Sequence, residues 1–177
     1  MTPPLIHRRT LALLLAAGFV AGPALAQADR FPSRPIKVMI GFTAGGSTYI
    51  PFRVLAENAS KILGQPVIIE NKPGAGGVLP AQMMQNAVAD GYTLAQVPLP
   101  VFRLPYTQKI DWDPSKDLQY VIGLAGYAFG LVVPADSPIK SMQDYIAYAK
   151  ANPGKLNYGT PGPLTTLHLT MENIAMQ

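Results

Sequence analysis

A short stretch rich in glycine and hydroxyl groups, Ala44-Gly45-Gly46-Ser47-Thr48, is the part of this sequence best suited to hold a ligand. Adjacent glycines let the backbone come close to a bound molecule, and a helix is predicted directly after them. The start of a helix presents unpaired amide groups and the positive end of its dipole, which suits a carboxylate. The same residues also fit a simpler interpretation, a glycine turn in which Ser47 or Thr48 caps the helix.

A second stretch, Thr160-Pro161-Gly162-Pro163-Leu164-Thr165-Thr166, repeats these features before another predicted helix. Two such helix starts could hold an anion from both sides, and capping is again the alternative. Neither stretch contains the Gly-Lys-Ser or Gly-Lys-Thr of a Walker loop, and Gly74-Ala75-Gly76-Gly77 lacks the Gly-x-Gly-x-x-Gly spacing of dinucleotide sites. We therefore predict no cofactor.

Residues suited to catalysis or metal binding are scarce. The chain has two histidines and no cysteine, and only His168 lies outside the predicted export signal, so no metal site is expected. A nucleophile would have one histidine available as its base, and no Gly-x-Ser-x-Gly elbow is present. Asp111, Asp113 and Asp117 lack the glycine and glutamate of a calcium loop and are interpreted as turn residues. The sequence thus favours binding over catalysis.

Residues 1–26 are predicted to be a cleaved secretory signal. A basic start at Arg8 and Arg9 precedes an apolar run, residues 11–20, and small residues end at Ala26. The apolar run is about half the length that a membrane-spanning helix needs, although an uncleaved anchor is the alternative. Loss of Arg8 and Arg9 from the 14 basic residues leaves 12 against 10 acidic ones. So small a net charge, without a basic cluster, gives no case for nucleic-acid binding.

Alternating strands and helices are predicted to position the two stretches. The predicted strands are Ile36–Phe42, Val67–Glu70 and Tyr92–Val97, and the predicted helices are Tyr49–Leu63, Val78–Ala89, Ser141–Asn152 and one that starts near Thr165. In the first helix the apolar residues on one face are Phe52, Leu55, Ala56, Ala59, Ile62 and Leu63. Two successive strand–helix units followed by a third strand indicate a parallel sheet flanked by helices.

The remaining segments are predicted to be less regular. Residues 98–117 are rich in proline and aspartate and are predicted to be mostly loop, and Lys155–Gly159 is predicted to be a short strand. Two further apolar runs are Leu118–Ala125 and Phe129–Val133. The proline-bounded segment after Val133 predicts a boundary between a first lobe, residues 27–133, and an incomplete second lobe, residues 134–177.

Ligands of an open parallel sheet bind beyond the carboxyl ends of its strands, where the loops into the helices gather. Four loops are expected there, at Thr43–Thr48, Pro73–Gly77, Pro98–Val101 and Thr160–Thr166.

Several motifs, in a fixed order, give the chain a family resemblance. They are Phe31-Pro32-Ser33-Arg34-Pro35-Ile36, Ala44-Gly45-Gly46, Leu63-Gly64-Gln65-Pro66-Val67, Glu70-Asn71-Lys72-Pro73-Gly74-Ala75-Gly76-Gly77, Asp90-Gly91-Tyr92-Thr93-Leu94, Pro153-Gly154-Lys155-Leu156-Asn157-Tyr158-Gly159 and His168-Leu169. On these motifs the chain resembles the extracytoplasmic solute receptors of tripartite tricarboxylate transporters, often called Bug-type receptors. The resemblance implies an α/β fold like that of type II periplasmic binding proteins, with two lobes closing on a carboxylate and no catalysis. It also implies a periplasmic monomer that hands a small organic acid to membrane transport subunits.

The resemblance also implies which residues of this chain bind the ligand. They are Phe42, Ala44, Gly45, Gly46 and Ser47 in the first lobe, and Thr160, Gly162, Thr165, Thr166 and His168 in the second. The chain departs from the family at Leu164, where glycine is usual, and at Tyr49, where aspartate is usual. Because a tyrosine removes a repulsive charge and adds an aromatic face, Tyr49 is predicted to contact the ligand and favour an aromatic or larger acid.

Family members continue well beyond this length, so the resemblance implies a truncated second lobe. A chain of this length made alone is expected to be poorly stable and to bind ligand weakly or not at all. Two other functions fit the sequence, a carboxylate-sensing component of a signalling system and, with less support from its residues, a secreted hydrolase.

Overall fold

The computed structural model describes residues 30–176 of the chain. The chain divides into two units, Met1–Ser33 and Arg34–Gln177, and the fold below is that of the second unit. The predicted export signal, residues 1–26, lies outside the described residues. Among the helices that are described, none combines the length and the apolar character needed to cross a membrane.

A parallel sheet of three strands forms the centre of the described unit. The strands β1 (Ile36–Ile40), β2 (Val67–Asn71) and β3 (Thr93–Ala95) lie in the order β2-β1-β3. β1 is the middle strand, and every one of its residues except Lys37 is buried. The prediction of a parallel sheet flanked by helices is confirmed.

The first helix, α1 (Tyr49–Leu63), has the predicted bounds. Gly64 ends it in the left-handed conformation, with φ 67°, and donates its N–H to the carbonyl of Ser60. The predicted apolar face borders a space of about 150 Å³ against the sheet. The prediction is wrong for Ile62, whose side chain is 84% exposed. At 100° per residue Ile62 falls at the rim of that face, where the sheet does not reach it.

Two short helices, α2 (Leu79–Met84) and α3 (Pro100–Thr107), form a packed apolar cluster beside the sheet. Its buried members are Val78, Ala81, Val101 and Leu104, with Trp112 packed against them. α2 is shorter than the predicted helix, Val78–Ala89. Beyond Met84 the amides of residues 85–87 bond to carbonyls three residues back, a tighter geometry that seldom continues for long.

The prediction of mostly loop across residues 98–117 is wrong for α3. Pro100 occupies the first turn, where a missing N–H leaves no helical bond unmade. Val101 and Leu104 lie three residues apart and are both buried, so one face of α3 packs on α2. This burial outweighs the unfavourable effect of Pro105 inside the helix.

The second half of the unit contains α4 (Met142–Ala151) and α5 (Thr166–Ala175), which confirm two predicted helices. Each begins at a hydroxyl cap: Ser141 accepts a hydrogen bond from the Asp144 N–H, and Thr165 accepts one from the His168 N–H. A capping hydroxyl satisfies an amide that the helix leaves unpaired.

Strand structure is missing from this half. The predicted strand Lys155–Gly159 does not form, and the apolar runs Leu118–Ala125 and Phe129–Val133 contain neither helix nor strand. Val121 and Val132 are 77% and 88% exposed. A strand needs a hydrogen-bonded neighbour, and no strand of the described residues lies alongside these segments.

Asp113 organises the turn that follows α3. Its Oδ1 accepts hydrogen bonds from the backbone N–H and the hydroxyl of Ser115, and its own N–H donates to the Asp117 carboxylate at 2.7 Å. Hydrogen bonds from Lys116 and then from Ser115 lower the pKa of Asp113 to about 2. The interpretation of Asp113 and Asp117 as turn residues is confirmed.

Candidate functional site

The first loop, residues 43–48, enters α1 without a side-chain cap. Thr48 is the N-cap residue, but its backbone is helical and its side chain makes no capping hydrogen bond. Thr48 is buried, and its Oγ1 lies 2.9 Å from the hydroxyl of Tyr127. Ser47 is exposed and its hydroxyl bonds to no described residue. Capping is therefore the wrong interpretation for this loop. The Ile50 N–H bonds to the Gly46 carbonyl at 3.2 Å and Pro51 has no N–H, so the Tyr49 N–H is the amide of the first turn without a described partner.

The backbone of the first loop is open to solvent. Ala44, Gly45 and Ser47 are exposed and Gly46 is half-buried. Gly45 has φ 83°, and a methyl group built on it would meet nothing within 4 Å. A solute can therefore approach this backbone closely, as the sequence predicts.

Tyr49, the first residue of α1, is half-buried. Its hydroxyl accepts a hydrogen bond of 3.1 Å from the guanidinium of Arg53, one turn along the helix. Hydrogen bonds to Glu57 and then to Tyr49 raise the pKa of Arg53. The phenol of Tyr49 thus lies along the surface of α1 beside a cation.

The second loop, Thr160–Thr166, holds itself together through Thr165. Thr165 is buried, donates its hydroxyl to the Gly162 carbonyl at 2.7 Å and accepts the His168 N–H at 3.3 Å. Capping is therefore the confirmed role of Thr165. Thr160, Gly162 and Thr166 are half-buried.

His168 lies in the first turn of α5. Its Nδ1 is buried and has no hydrogen-bond partner among the described residues. Its Nε2 lies 3.8 Å from Oε1 of Glu172, an oxygen that also accepts the hydroxyl of Tyr158. That hydrogen bond raises the pKa of Tyr158. The arrangement places a carboxylate, rather than a nucleophile, beside the imidazole.

The glycine turn, Pro73–Gly77, is where the predicted loops meet. A methyl group on Gly77 would lie 2.7 Å from the Phe42 ring and 3.2 Å from Pro98. A methyl group on Gly76 would lie 2.7 Å from the Pro163 carbonyl oxygen and 3.6 Å from Thr165.

Two adjacent glycines therefore contact the residue before the first loop, the segment before α3 and the second loop. The glycine turn and the Pro98 segment, which follow β2 and β3, thus meet as expected, whereas the second loop reaches them without following a strand of the described residues.

The first and second loops do not bond to each other directly. Among residues 30–176 no hydrogen bond joins residues 43–48 to residues 160–166. A groove of about 510 Å³ lies beside α2 and borders the glycine turn at Pro73; its lining residues are Asn71, Lys72, Pro73, Leu79, Gln82, Met83 and Asn86. The glycine turn is thus the element that links the two loops.

Sequence reasoning missed two polar residues near these loops. Arg103, on α3, donates to the Leu164 carbonyl at 2.5 Å and to the Thr166 hydroxyl at 3.3 Å. Gln96 directly follows β3, and its side-chain oxygen is buried without a partner among the described residues. Its position at the carboxyl end of a strand was a usable signal. The role of Arg103 could not be predicted, because the sequence predicts a loop where Arg103 lies on a helix.

Replacing Thr165 with alanine is expected to lower the free energy of unfolding by about 1 kcal/mol, because the cap of α5 is lost. Thr165→Ser keeps the capping hydroxyl. It is expected to lower the free energy of unfolding by less than about half of the loss in Thr165→Ala. Urea unfolding can be followed by the fluorescence of Trp112, the one tryptophan of the chain. If both variants lost the same free energy of unfolding, the side-chain methyl group of Thr165, and not its capping hydroxyl, would account for the loss.

Comparison with known proteins agrees with this architecture. Residues 51–177 match the family described as "Tripartite tricarboxylate transporter family receptor". The "UPF0065 protein in gbd 5'region" of Cupriavidus necator is 76% identical over 173 residues, which cover 97% of this chain and 53% of that protein.

Two solved structures are also similar. One, described as a periplasmic transporter, is 36% identical with a TM-score of 0.73, and the match covers 82% of this chain and 50% of that one. The other, Rpa4515 of R. palustris with adipate, is 30% identical with a TM-score of 0.74, over 80% of this chain and 48% of that one. The chain thus spans about half the length of these relatives.

Proposed function

This chain belongs to the tripartite tricarboxylate transporter receptor family, and from that premise we propose that it captures a small carboxylate outside the cytoplasm. The captured acid is handed to the membrane subunits of a tripartite tricarboxylate-type transporter. The protein acts in the periplasm, as a monomer, and its export signal is residues 1–26. It makes and breaks no covalent bond.

The observation that carries this proposal is the uncapped start of α1. In α4 and α5 a hydroxyl of the N-cap residue satisfies one of the first amides. Here the Thr48 hydroxyl bonds to Tyr127 instead, and the Ser47 hydroxyl has no described partner. The Ile50 N–H already bonds to the Gly46 carbonyl and Pro51 has no N–H. The donors left at this helix start are the Tyr49 N–H and the Ser47 hydroxyl, and the helix dipole favours a negative charge beside them.

The proposed binding residues surround this helix start and the second loop. They are Phe42, Ala44, Gly45, Gly46, Ser47, Tyr49, Thr160, Gly162, Thr165, Thr166 and His168. Thr165 contributes by holding its loop, since both of its recorded hydrogen bonds are internal to that loop and α5. The preference of Tyr49 for an aromatic or larger acid remains a prediction.

Two lobes, residues 27–133 and residues 134–177, are proposed to supply one loop each. Both loops already lie near the glycine turn in this chain. Of the two outcomes that the resemblance implied for a chain of this length, weak binding and no binding, this arrangement favours weak binding. A bound adipate in a relative with the same fold supports a carboxylate as the ligand class.

Ligand-observed NMR tests the proposal with two molecules of equal length, adipate and its neutral diamide. We expect adipate to show saturable binding with millimolar affinity and the diamide to show none, because only the acid carries the charge that the helix start favours. The adipate signals are expected to keep their intensity over a day, since no reaction occurs. Equal binding of the two molecules, or a steady conversion of adipate, would contradict the proposal.

A further inference from the structure

The hydroxyl of Thr48, at the start of α1, is paired with the hydroxyl of Tyr127. Thr48 is the N-cap residue and is 7% exposed, and its Oγ1 lies 2.9 Å from the Tyr127 hydroxyl. The Tyr127 ring stacks on Phe129, with 6.1 Å between the ring centroids and 11° between their planes. A buried hydroxyl without a partner is unfavourable, so the Tyr127 hydroxyl stabilises the present position of the Thr48 side chain.

A different arrangement of Thr48 would cap the helix. An N-cap hydroxyl accepts a hydrogen bond from the N–H two or three residues further along the chain, while its own backbone is extended. Three residues after Thr48 is Pro51, which has no N–H, so the Ile50 N–H is the amide that Thr48 could cap. The backbone of Thr48 is instead helical, with φ −79° and ψ −43°. The bond to Tyr127 thus accompanies a backbone that does not cap.

Capping by Thr48 would change the first loop. The Ile50 N–H now bonds to the Gly46 carbonyl at 3.2 Å, and a cap on Ile50 would release that carbonyl. A change of Thr48 from helical to extended backbone would also turn the planar peptide group that carries the Tyr49 N–H. Because the loop backbone and the Tyr49 N–H belong to the proposed anion site, a capping Thr48 would compete with a carboxylate.

Resting on the proposed function, we propose that Tyr127 is a positioning residue of the anion site. Its hydroxyl engages the hydroxyl of Thr48 and prevents Thr48 from capping α1. The Tyr49 N–H and the Ser47 hydroxyl therefore stay available to a carboxylate. Tyr127 acts through Thr48 and not on the ligand, so its loss matters only while residue 48 carries a hydroxyl that can cap.

Titration of the 177-residue chain with adipate, followed by its amide NMR signals, tests this with three variants. Tyr127→Phe keeps the ring and is expected to weaken adipate binding about fivefold, because a cap of ordinary strength then has to be broken. Adding Thr48→Val to Tyr127→Phe removes the competing hydroxyl and is expected to return the affinity to within about twofold of that of the unaltered chain. Tyr120→Phe is the matched control, because it removes from the same apolar stretch a hydroxyl that donates to the Pro114 carbonyl. This control is expected to change the affinity by less than about twofold.

A measurement without ligand covers the case in which Tyr127→Phe does not fold. The Cα and Cβ chemical shifts of Thr48 distinguish a helical from an extended backbone. They are expected to be helical in the unaltered chain, with and without adipate, and extended in Tyr127→Phe. Extended values in the unaltered chain, or helical values in Tyr127→Phe, would overturn the inference.

Rescue by the second substitution separates positioning from a general loss of structure. If the bond between Tyr127 and Thr48 only held the fold together, removing both hydroxyls would not restore binding. A double variant that binds adipate no better than Tyr127→Phe, or an unchanged affinity in Tyr127→Phe, overturns the inference and leaves the proposed function standing. Failure of the unaltered chain to bind adipate overturns the proposed function, and the inference with it.

Discussion

Gly76→Ala is expected to lower the free energy of unfolding by about 2 to 5 kcal/mol and to detach the second loop from the glycine turn. Gly76 has φ 66°, a conformation that costs an alanine about 1 to 2 kcal/mol. The added methyl group would also lie 2.7 Å from the Pro163 carbonyl oxygen, which belongs to backbone. Because such a contact has to be relieved by moving the loop, a further cost of about 1 to 3 kcal/mol is expected.

Gly154→Ala separates these two causes. Gly154 has φ 72°, close to that of Gly76, but a methyl group there would meet nothing within 4 Å. Gly154→Ala is expected to lower the free energy of unfolding only by the cost of the left-handed backbone conformation, about 1 to 2 kcal/mol. The amide NMR signals of residues 160–168 are expected to stay unchanged. Urea unfolding followed by Trp112 fluorescence gives both free energies. If Gly154→Ala cost as much as Gly76→Ala, the close approach of the second loop would be disproved.

Ser47→Asp is expected to weaken adipate binding at least about tenfold while leaving the fold intact. A carboxylate at this position would occupy the positive end of α1 and repel a second carboxylate there. The same charge is favourable for the helix, by about 0.3 to 1 kcal/mol. Loss of binding with a gain in stability therefore distinguishes an anion site from a residue that merely supports the fold.

Ser47→Asn is the control for shape, since asparagine matches aspartate in size and carries no charge. Its affinity for adipate is expected to stay within about threefold of that of the unaltered chain. Both affinities can be measured by titration of the amide NMR signals. Equal affinities in Ser47→Asp and Ser47→Asn would show that no anion binds at the start of α1.

The parts of the fold that local sequence determines could be predicted. The bounds of α1 followed from its apolar period and from Gly64, whose left-handed conformation ends it. The start of α5 followed from its capping hydroxyl, because a cap and its amide lie three residues apart along the chain. The meeting of the glycine turn with the Pro98 segment followed from the rule that parallel strands end at one edge of a sheet, since these segments follow β2 and β3.

The parts that depend on distant contacts could not be predicted. The helix α3 forms because Val101 and Leu104 pack against Val78 and Ala81, and this packing outweighs the unfavourable effect of Pro105 inside the helix. Conversely, the apolar run Leu118–Ala125 stays without strand structure because no strand within residues 30–176 lies alongside it.

The candidate site was only partly foreseeable for the same reason. Whether a hydroxyl caps its helix depends on the competing partner: Tyr127 takes the hydroxyl of Thr48, whereas Thr165 keeps its cap. The contact of Arg103 with the second loop spans more than sixty residues of sequence, so no local pattern could reveal it.

The central claim is that an acid binds without reaction at the start of α1 and at the second loop. Titration of the isotope-labelled chain with adipate, followed by its amide NMR signals, tests this most directly. We predict saturable shifts at Gly45, Gly46 and Ser47 together with Gly162 and Thr166. Shifts confined to the groove beside α2, at Leu79 and Met83, or no saturable shift at all, would contradict the claim.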